Sequence, residues 1–178
     1  YLAEMLIRGT TWTVEPASTS AEDVEAAKFL ESCMNDMDMS WANTISEILS
    51  MLTYGFSFHE IVYKVRRGPN EVSPRYKSKY SDGRIGWRRL PIRAQTSLHE
   101  WKFNDEGDVI AFVQMAEPDF KLVTIPMSKG LLFRTRVSRD NPEGKSLLRN
   151  AYRPWFFKKH FEEIEGIGIE RDLAGFPV

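Results

Sequence analysis

The apolar residues of this chain change their spacing twice, and that order of patterns constrains the fold more than any single motif. Between residues 20 and 54 they recur every three or four positions, as on one face of a helix. Between residues 56 and 137 they form short β-branched and aromatic runs separated by turn formers, as in strands. After about residue 144 the helical spacing returns. This order predicts an α+β fold: N-terminal helices, a mixed or antiparallel sheet of short strands and a long C-terminal helix.

The N-terminal segment carries the signals of one strand and two helices. The run at 9–14 is β-branched and aromatic and predicts a short strand. Ser20 with Asp23, or Thr19 with Glu22, predicts a capped helix start. A second helix is predicted from Ser40 to a left-handed glycine cap at Gly55, with one apolar face made of Trp41, Ile45, Ile48 and Leu52.

The middle of the chain is predicted to be β-structure. Residues 56–65 read as one strand that is apolar on both sides and therefore covered on both faces. Residues 66–86 combine turn formers with positive charge and predict a long hairpin loop. Further strands are predicted at 87–92, 98–103, 109–114, 122–126 and 131–137.

The C-terminal segment predicts a helix from about Gly144. Asn141 is expected to cap it, and Pro142 occupies the first-turn position that proline favours. Pro154 is expected to kink or divide this helix, because proline lacks the amide hydrogen and clashes with the preceding turn.

Charge is distributed unevenly along the 178 residues, although the formal net charge is only −1. Residues 1–60 carry ten acidic side chains against two basic ones, and residues 61–100 carry ten basic against three acidic. Segments of opposite sign fit a head-to-tail contact between copies, or positive charge near a polyanion. A solvated basic loop beside an acidic helix is the simpler alternative. The longest apolar run is too short for a membrane-spanning helix, and a single cysteine fits a reducing compartment.

Residues of the types that carry catalysis lack the spacing that catalysis requires. His59-Glu60 and His99-Glu100 have no second histidine four residues after the first, as a metalloprotease helix would. Residues 144–146 resemble the end of a phosphate-binding loop, but the preceding glycine is missing. Cys33 is expected to have no positive group nearby and to lie on or beside an apolar helix face, which argues against a nucleophile. We therefore predict no catalytic residue, no cofactor, no metal site and no enzymatic activity.

Nucleic-acid binding has more support from the residue types. Basic side chains between residues 66 and 93 alternate with Tyr76, Tyr80 and Trp87, and such sets neutralise phosphates and stack on bases. No known DNA- or RNA-binding signature accompanies them, so any contact would be to the backbone and independent of sequence.

An ordered set of motifs resembles the portal proteins of tailed bacteriophages, specifically the Mu-like branch. The first is residues 54–63, Tyr-Gly-Phe-Ser-Phe-His-Glu-Ile-Val-Tyr, and the strongest is Pro142-x-Gly144-x-Ser-Leu-Leu-Arg149. The residues that carry the resemblance are Gly55, Glu60, Pro142, Gly144, Arg149, Trp155, Glu170, Gly175 and Pro177.

The resemblance implies a structural subunit of a ring, usually a dodecamer, at one vertex of the phage or prophage capsid. Double-stranded DNA would be packaged and ejected through the ring, without base specificity. Further partners would be the terminase large subunit, capsid proteins and head–tail connector proteins, with no membrane. The protein would lie in the virion, and in the host cytoplasm during assembly. Residues 1–140 would form an α+β wing-like domain and residues 141–178 the start of a stem-like helical segment, in a protein that continues beyond residue 178.

Two hypotheses assign parts of this portal role to particular residues. A basic patch is predicted to contact the acidic first helix of a neighbouring subunit, and reversing Arg88 and Arg89 to Glu should weaken assembly. The patch consists of Arg66, Arg67, Arg75, Lys77, Lys79, Arg84, Arg88, Arg89 and Arg93. Glu162, Glu163 and Glu165 are predicted to face the DNA channel, although they could also hold a cation or form a solvated helix face. The alternatives to a portal are a sequence-independent nucleic-acid-binding module and an enzyme with an unrecognised dispersed site.

Overall fold

A computed structural model describes residues 2–137, 141–173 and 175 of the chain. The helices are α1 (Leu2–Arg8), α2 (Ala21–Asn35), α3 (Trp41–Ile48), α4 (Met51–Tyr54) and α5 (Tyr152–Leu173). The strands are β1 (Phe56–Glu60), β2 (Val62–Val65), β3 (Ile85–Arg89), β4 (Ile92–Arg93), β5 (Leu98–Phe103), β6 (Val109–Ala116), β7 (Lys121–Pro126) and β8 (Gly130–Arg134). Short 3-10 segments lie at Gln95–Ser97, Met127–Lys129 and Leu147–Ala151.

The strands form three small antiparallel sheets, which confirms the predicted α+β class. Their orders are β4-β1-β8, β2-β3 and β5-β6-β7. β1 is the central strand of the first sheet and pairs with β8 from Phe56 opposite Arg134 to Glu60 opposite Gly130. The first four residues of β1 are buried, as its apolar pattern on both sides predicted.

The main core joins the first and third sheets through aromatic rings. Phe58 and Phe112 are completely buried and stack with their ring centroids 4.6 Å apart. Trp101 meets Phe112 edge-on at 5.2 Å. Gly130 lies directly against the Phe58 ring, where a side chain would overlap it. Each buried phenylalanine stabilises the fold by about 1.5–3 kcal/mol.

A second core attaches the helices to the first sheet. Ile45, Ile48 and Leu49 are buried, and Trp41, Leu52 and Phe133 pack against them. This confirms the predicted apolar face, although the single helix predicted between Ser40 and Gly55 is divided into α3 and α4. The predicted caps are also confirmed. The Ser20 Oγ accepts a hydrogen bond from the amide of Asp23 at 3.2 Å, and the Ser40 Oγ accepts one from Asn43 at 3.3 Å.

Two strand predictions in the first half of the chain were wrong. Residues 9–14 pair with no strand of the described residues, and Trp12 instead meets Trp41 edge-on at 6.4 Å. β-branched residues favour an extended backbone, but a strand forms only where a second strand lies beside it to hydrogen-bond. Residues 56–65 form two strands in different sheets. They divide at Ile61, whose amide donates to the Lys129 carbonyl at 2.8 Å.

The C-terminal helix begins later than predicted. Gly144 has a left-handed φ of +63° and lies in a turn, where Asn141 Oδ1 accepts a hydrogen bond from the Glu143 amide at 2.9 Å. The α-helix starts only at Tyr152, so Pro154 is its third residue. A first-turn amide has no intrahelical acceptor, so proline fits there without a break. The predicted kink at Pro154 was therefore wrong, and α5 runs unbroken to Leu173.

Among the described helices, none combines the length and the apolarity needed to cross a lipid bilayer.

Candidate assembly surfaces

Two glycines meet backbone to backbone just before helix α5. Gly55 ends α4 with φ +99°, and Gly144 turns the chain with φ +63°. A Cβ on Gly55 would lie 2.6 Å from the carbonyl oxygen of Glu143, and a Cβ on Gly144 would overlap the carbonyl oxygen of Gly55. Both positions therefore require glycine for their conformation and for this close approach.

Thr135 connects this contact to the sheet. Its amide donates to the Gly55 carbonyl at 3.0 Å, and its Oγ1 accepts from the Lys145 amide at 3.0 Å. The same hydroxyl can donate to the Lys145 carbonyl at 2.6 Å. Ser146 Oγ donates to the Thr53 carbonyl. The end of α4, the residue after β8 and the turn at 141–146 thus form one junction, which we call the α5 root.

Helix α5 leaves this root and stays exposed to solvent. Its contacts within the described chain are concentrated on the preceding 3-10 segment, and its side chains are exposed from Tyr152 to Asp172. The exposed apolar residues are Tyr152, Trp155, Phe156, Phe157, Phe161, Ile164, Ile167 and Ile169. Monomeric soluble proteins rarely expose so continuous an apolar surface, which marks α5 as a contact surface.

The three glutamates predicted to face a channel are exposed on α5 but do not share one face. At about 100° per residue, Glu163 points about 100° away from Glu162. Glu162 lies 3.5 Å from Lys158, and Glu163 lies 4.0 Å from Lys159 and 3.4 Å from His160.

The structure divides the predicted basic patch into two sets. Five of its nine members contact acceptors that are distant from them in sequence. Arg66 is buried, 2.9 Å from Asp82 and stacked on Tyr80 at 4.2 Å. The other four contacts are Arg84 with Glu25 at 3.1 Å, Arg88 with Asp38 at 2.9 Å, Arg93 with Glu60, and Lys79 Nζ with the Asn35 carbonyl at 2.5 Å. Three acidic side chains of the first sixty residues, Glu25, Asp38 and Glu60, are therefore paired with the patch inside one chain.

The second set is exposed and consists of Arg67, Arg75, Lys77 and Arg89. Arg67 stacks on Tyr76 at 4.5 Å and lies 3.7 Å from Glu71, four residues further along the same loop, and its side chain stays exposed. These four side chains form the part of the patch that can meet a partner, and we call them the exposed basic set.

A buried ion pair holds the loop at 66–84 in place. Lys64 Nζ lies 3.2 Å from Asp36 Oδ2 and donates to the carbonyls of Asp36 (2.6 Å) and Lys77 (3.0 Å). Asp36 also accepts from Ser78 Oγ at 2.6 Å and from the Lys79 amide at 2.7 Å. Burial alone would raise the pKa of Asp36, but these hydrogen bonds and the Lys64 charge outweigh it and lower that pKa below 3.8. Sequence reasoning missed this pair, since neither residue lies in a recognisable motif.

A family model for the portal protein of Mu bacteriophage matches residues 4–171 of the chain. The chain belongs to this portal family. No curated protein matches it. The matched residues of this portal chain include the α5 root, the exposed basic set and nearly all of α5, so the surfaces described above lie inside the family match.

The motif residues of this portal chain have different structural roles. Gly55, Gly144 and the buried Pro142 converge at the α5 root, and Glu60 pairs with Arg93 in the first sheet. Arg149, Trp155 and Glu170 are exposed, and Gly175 has φ +71°. Pro177 lies outside the described residues. The resemblance thus combines residues that fix the root of α5 with residues that the helix presents to solvent.

The histidine and cysteine most open to a catalytic interpretation are both buried. His59 Nδ1 lies 2.9 Å from the Leu90 carbonyl oxygen, and burial lowers the pKa of His59 below 6.5, so its ring is neutral at pH 7 and Nδ1–H donates. The prediction that Cys33 lies far from positive charge was wrong, because Arg66 Nη1 is 3.9 Å from its Sγ. Within residues 2–137, 141–173 and 175, no three His, Cys, Asp or Glu side chains cluster to hold a metal ion.

Proposed function

We propose that this portal-family chain assembles with copies of itself into a closed ring, through which double-stranded DNA is packaged and ejected. The observation that carries the proposal is helix α5, which is exposed along its length, rich in aromatic side chains and fixed at its root by two glycines. An apolar helix that its own chain does not cover needs neighbours to remove it from water. A ring provides each copy with two neighbours.

The remaining parts of the proposal follow the portal family. The ring, a dodecamer, would occupy the portal vertex of the virion after assembly in the host cytoplasm. It would dock the terminase large subunit and join capsid and head–tail connector proteins. Residues 1–140 would form the wing-like domain and residues 141–178 the start of the stem-like segment. Because the contacts of α5 are concentrated on the 3-10 segment at Leu147–Ala151, its root at 141–146 is the structural feature that supports this division.

We place Glu162 and Glu165 toward the DNA path. They lie about 60° apart around α5, on the side opposite Phe156 and Ile164. Carboxylates on a channel wall repel phosphates and keep the moving duplex from binding. Glu163 points away from this side, toward a neighbouring subunit.

We also place the exposed basic set at a contact between subunits. The hypothesis distinguishes two arginines that neighbour each other in sequence. Arg89→Glu should weaken assembly in a salt-dependent way, whereas Arg88→Glu should act mainly through loss of its contact with Asp38 inside the chain. Equal assembly by wild type and Arg89→Glu, measured by light scattering at low salt, would remove Arg89 from the interface.

Sequence-independent binding of nucleic acid is the second candidate function. It is favoured by Arg67 and Arg75, whose guanidinium groups lie 4.5 Å and 5.7 Å from the Tyr76 ring and present positive charge beside an aromatic surface. This function predicts that monomers bind single- and double-stranded DNA with an affinity that falls steeply as salt rises. Absence of binding at low salt would exclude it.

Electron microscopy of the purified full-length protein tests the proposed function directly. We expect closed rings with a central channel and one ring size. A population made only of monomers or two-fold dimers, at concentrations where the apolar helices should associate, would contradict the proposal.

A further inference from the structure

The turn between β6 and β7 holds a bulky residue in a conformation that favours glycine. Phe120 has φ +49°, and every other residue with a left-handed φ in the described chain is a glycine. A side chain is crowded by the neighbouring carbonyl oxygen in this conformation, so turns usually place glycine, asparagine or aspartate there. The Phe120 amide donates to the Ala116 carbonyl at 3.0 Å and closes a turn over residues 117–120. We call these four residues the β6–β7 tip.

Packing inside the chain does not explain a phenylalanine at this position. The Phe120 side chain is 58% exposed and belongs to neither of the two cores described above. Leu122 and Met115 are also exposed, and they lie opposite each other in the β6–β7 ladder. The tip therefore adds an aromatic side chain to an exposed apolar pair, in a backbone conformation that glycine would adopt with less strain. Strain that the fold itself does not require indicates a function at the strained residue.

The charges of the tip are acidic. Glu117 and Asp119 are both exposed, and Asp119 lies 3.9 Å from the equally exposed Lys121. An ion pair of this kind is weak in water, so it leaves Asp119 able to meet a partner. Two carboxylates repel the phosphates of a nucleic acid or of an anionic membrane. The tip is therefore suited to a protein surface that carries basic side chains.

We propose that the β6–β7 tip is a docking site for a protein other than this chain, with Phe120 inserted into an apolar pocket that basic side chains border. Aromatic side chains at the centre of a contact often contribute most of its binding energy, and complementary charges around them select the partner. Pro118 has a fixed φ, so the tip loses less conformational freedom on binding. This inference rests on the proposed ring, because it assigns a binding site for one of the other head proteins that the ring would join.

A second copy of the chain is the less suitable occupant of this site. The positive surface of a second copy is the exposed basic set, which the proposed function already places at a contact between subunits. The tip also belongs to other elements than that contact. β7 packs mainly on β6, and α5 packs mainly on the 3-10 segment before it. The proposed ring would therefore leave the tips accessible, one on each copy.

Thiol labelling of the full-length protein tests whether the tip is covered. The one cysteine of the 178 residues, Cys33, is buried, whereas Lys121→Cys adds an exposed thiol beside Phe120 and keeps the aromatic anchor. Fluorescein maleimide should label this thiol at least about tenfold more slowly in purified heads that contain the ring than in purified rings. Mass spectrometry of the peptide that carries the thiol gives both rates. Asp105→Cys, in the exposed turn at the other end of β6, is the matched control and should react equally fast in both.

Two further changes and a cross-link test the chemistry of the partner. In the Lys121→Cys background, Phe120→Ser removes the anchor, and Glu117→Lys with Asp119→Lys reverses the charge. Both should leave ring formation unchanged and either restore fast labelling in heads or yield heads without the ring, because the pocket then loses its anchor or its basic border repels the tip. In heads with Lys121→Cys alone, a thiol-to-amine cross-linker should join the new thiol to a lysine of a different protein.

The outcomes separate this inference from the proposed function. Slow labelling in heads, its loss in both further variants and a cross-link to a different protein support the docking site. Equal labelling in rings and heads, slow labelling already in purified rings, unchanged protection after charge reversal or a cross-link to a second copy would each overturn it and leave the proposed ring intact. Wild-type protein that never exceeds a dimer would overturn the proposed function itself.

Discussion

Asp36 is the residue on which the geometry of the basic loop depends. It is 4% exposed and neutralises the equally buried Lys64, while its oxygens hold Ser78 and the Lys79 amide. Breaking a buried pair by removing one charge leaves the other uncompensated, at a cost of about 3–5 kcal/mol. The pair therefore connects the end of α2 to the loop at 66–84.

We predict that Asp36→Asn lowers the free energy of unfolding by about 3–5 kcal/mol at pH 7, measured by urea denaturation. Asp38→Asn is the control, because its partner Arg88 is partly exposed, and it should cost about 0–1 kcal/mol. Since the pKa of Asp36 is lowered in the folded state, its stabilisation is complete above about pH 4 and disappears as the pH falls through the folded-state pKa. A difference between wild type and Asp36→Asn that stays constant down to pH 2 would contradict this.

His59 is expected to make the free energy of unfolding depend on pH in a second range, above that of Asp36. Burial lowers its pKa below 6.5, so the folded chain keeps the ring neutral while the unfolded chain binds a proton below that pH. Stability should therefore fall as the pH drops from 7 to 5.5, and His59→Phe should show a smaller slope over that range. Parallel stability curves for the two proteins would exclude this role of His59.

At the scale of single residues, the sequence predicts structural features that depend only on residues nearby in the chain. The caps at Ser20 and Ser40 and the left-handed Gly55 follow from local rules and are confirmed. The pairing of Asp36 with Lys64 joins residues 28 positions apart, and neither side chain differs locally from an exposed one. Long-range pairing of this kind has no signal in a single sequence.

At the scale of elements, the contacts at the α5 root fix the position from which helix α5 starts. We predict that Gly144→Ala destabilises the protein by at least about 1–2 kcal/mol, because alanine resists φ +63° and its Cβ would overlap the Gly55 carbonyl. Thermal unfolding followed by circular dichroism measures the effect.

Gly166→Ala is the matched control for this change. It lies in α5 with open space around it, so alanine should raise the helix content of α5 and leave the unfolding of the sheets unchanged. Equal stability of Gly144→Ala and wild type would show that the two glycines do not fix the root.

The start of α5 shows why element boundaries were harder to predict than element types. A cap residue, a proline and a glutamate in sequence predicted a helix start at 141–144, yet contacts with Gly55 and Thr135 hold that stretch as a turn. Tertiary contacts with residues about 90 positions earlier thus override local helix signals. The same competition explains the strand predicted at 9–14, where Trp12 packs against α3 instead.

For the whole molecule, the distribution of charge and apolar surface indicates a subunit of an assembly. Four ion pairs join the acidic segment at 1–60 to the basic segment at 61–100 inside the chain, whereas α5 leaves its aromatic side chains uncovered. The sequence predicted the charge segments and the family, but it could not show which acidic and basic residues meet within one copy. That distinction limits the predicted basic contact to the exposed basic set and adds α5 as a second subunit contact.

We predict that Phe157→Ser with Phe161→Ser abolishes assembly while the free energy of unfolding of the monomer stays within about 0.5 kcal/mol of wild type, because both side chains are exposed in the single chain. Phe120→Ser, an equally exposed aromatic next to β7, is the control and should assemble normally. Size-exclusion chromatography with light scattering, together with urea denaturation, gives both quantities.

The particle mass of the full-length wild-type protein, measured by mass photometry over increasing concentration, tests the central claim most directly. Assembly through α5 predicts one discrete species at a fixed multiple of the subunit mass, which is lost in Phe157→Ser with Phe161→Ser. A single species at the subunit mass throughout, or the same ring from the double variant, would contradict the claim that α5 joins the copies.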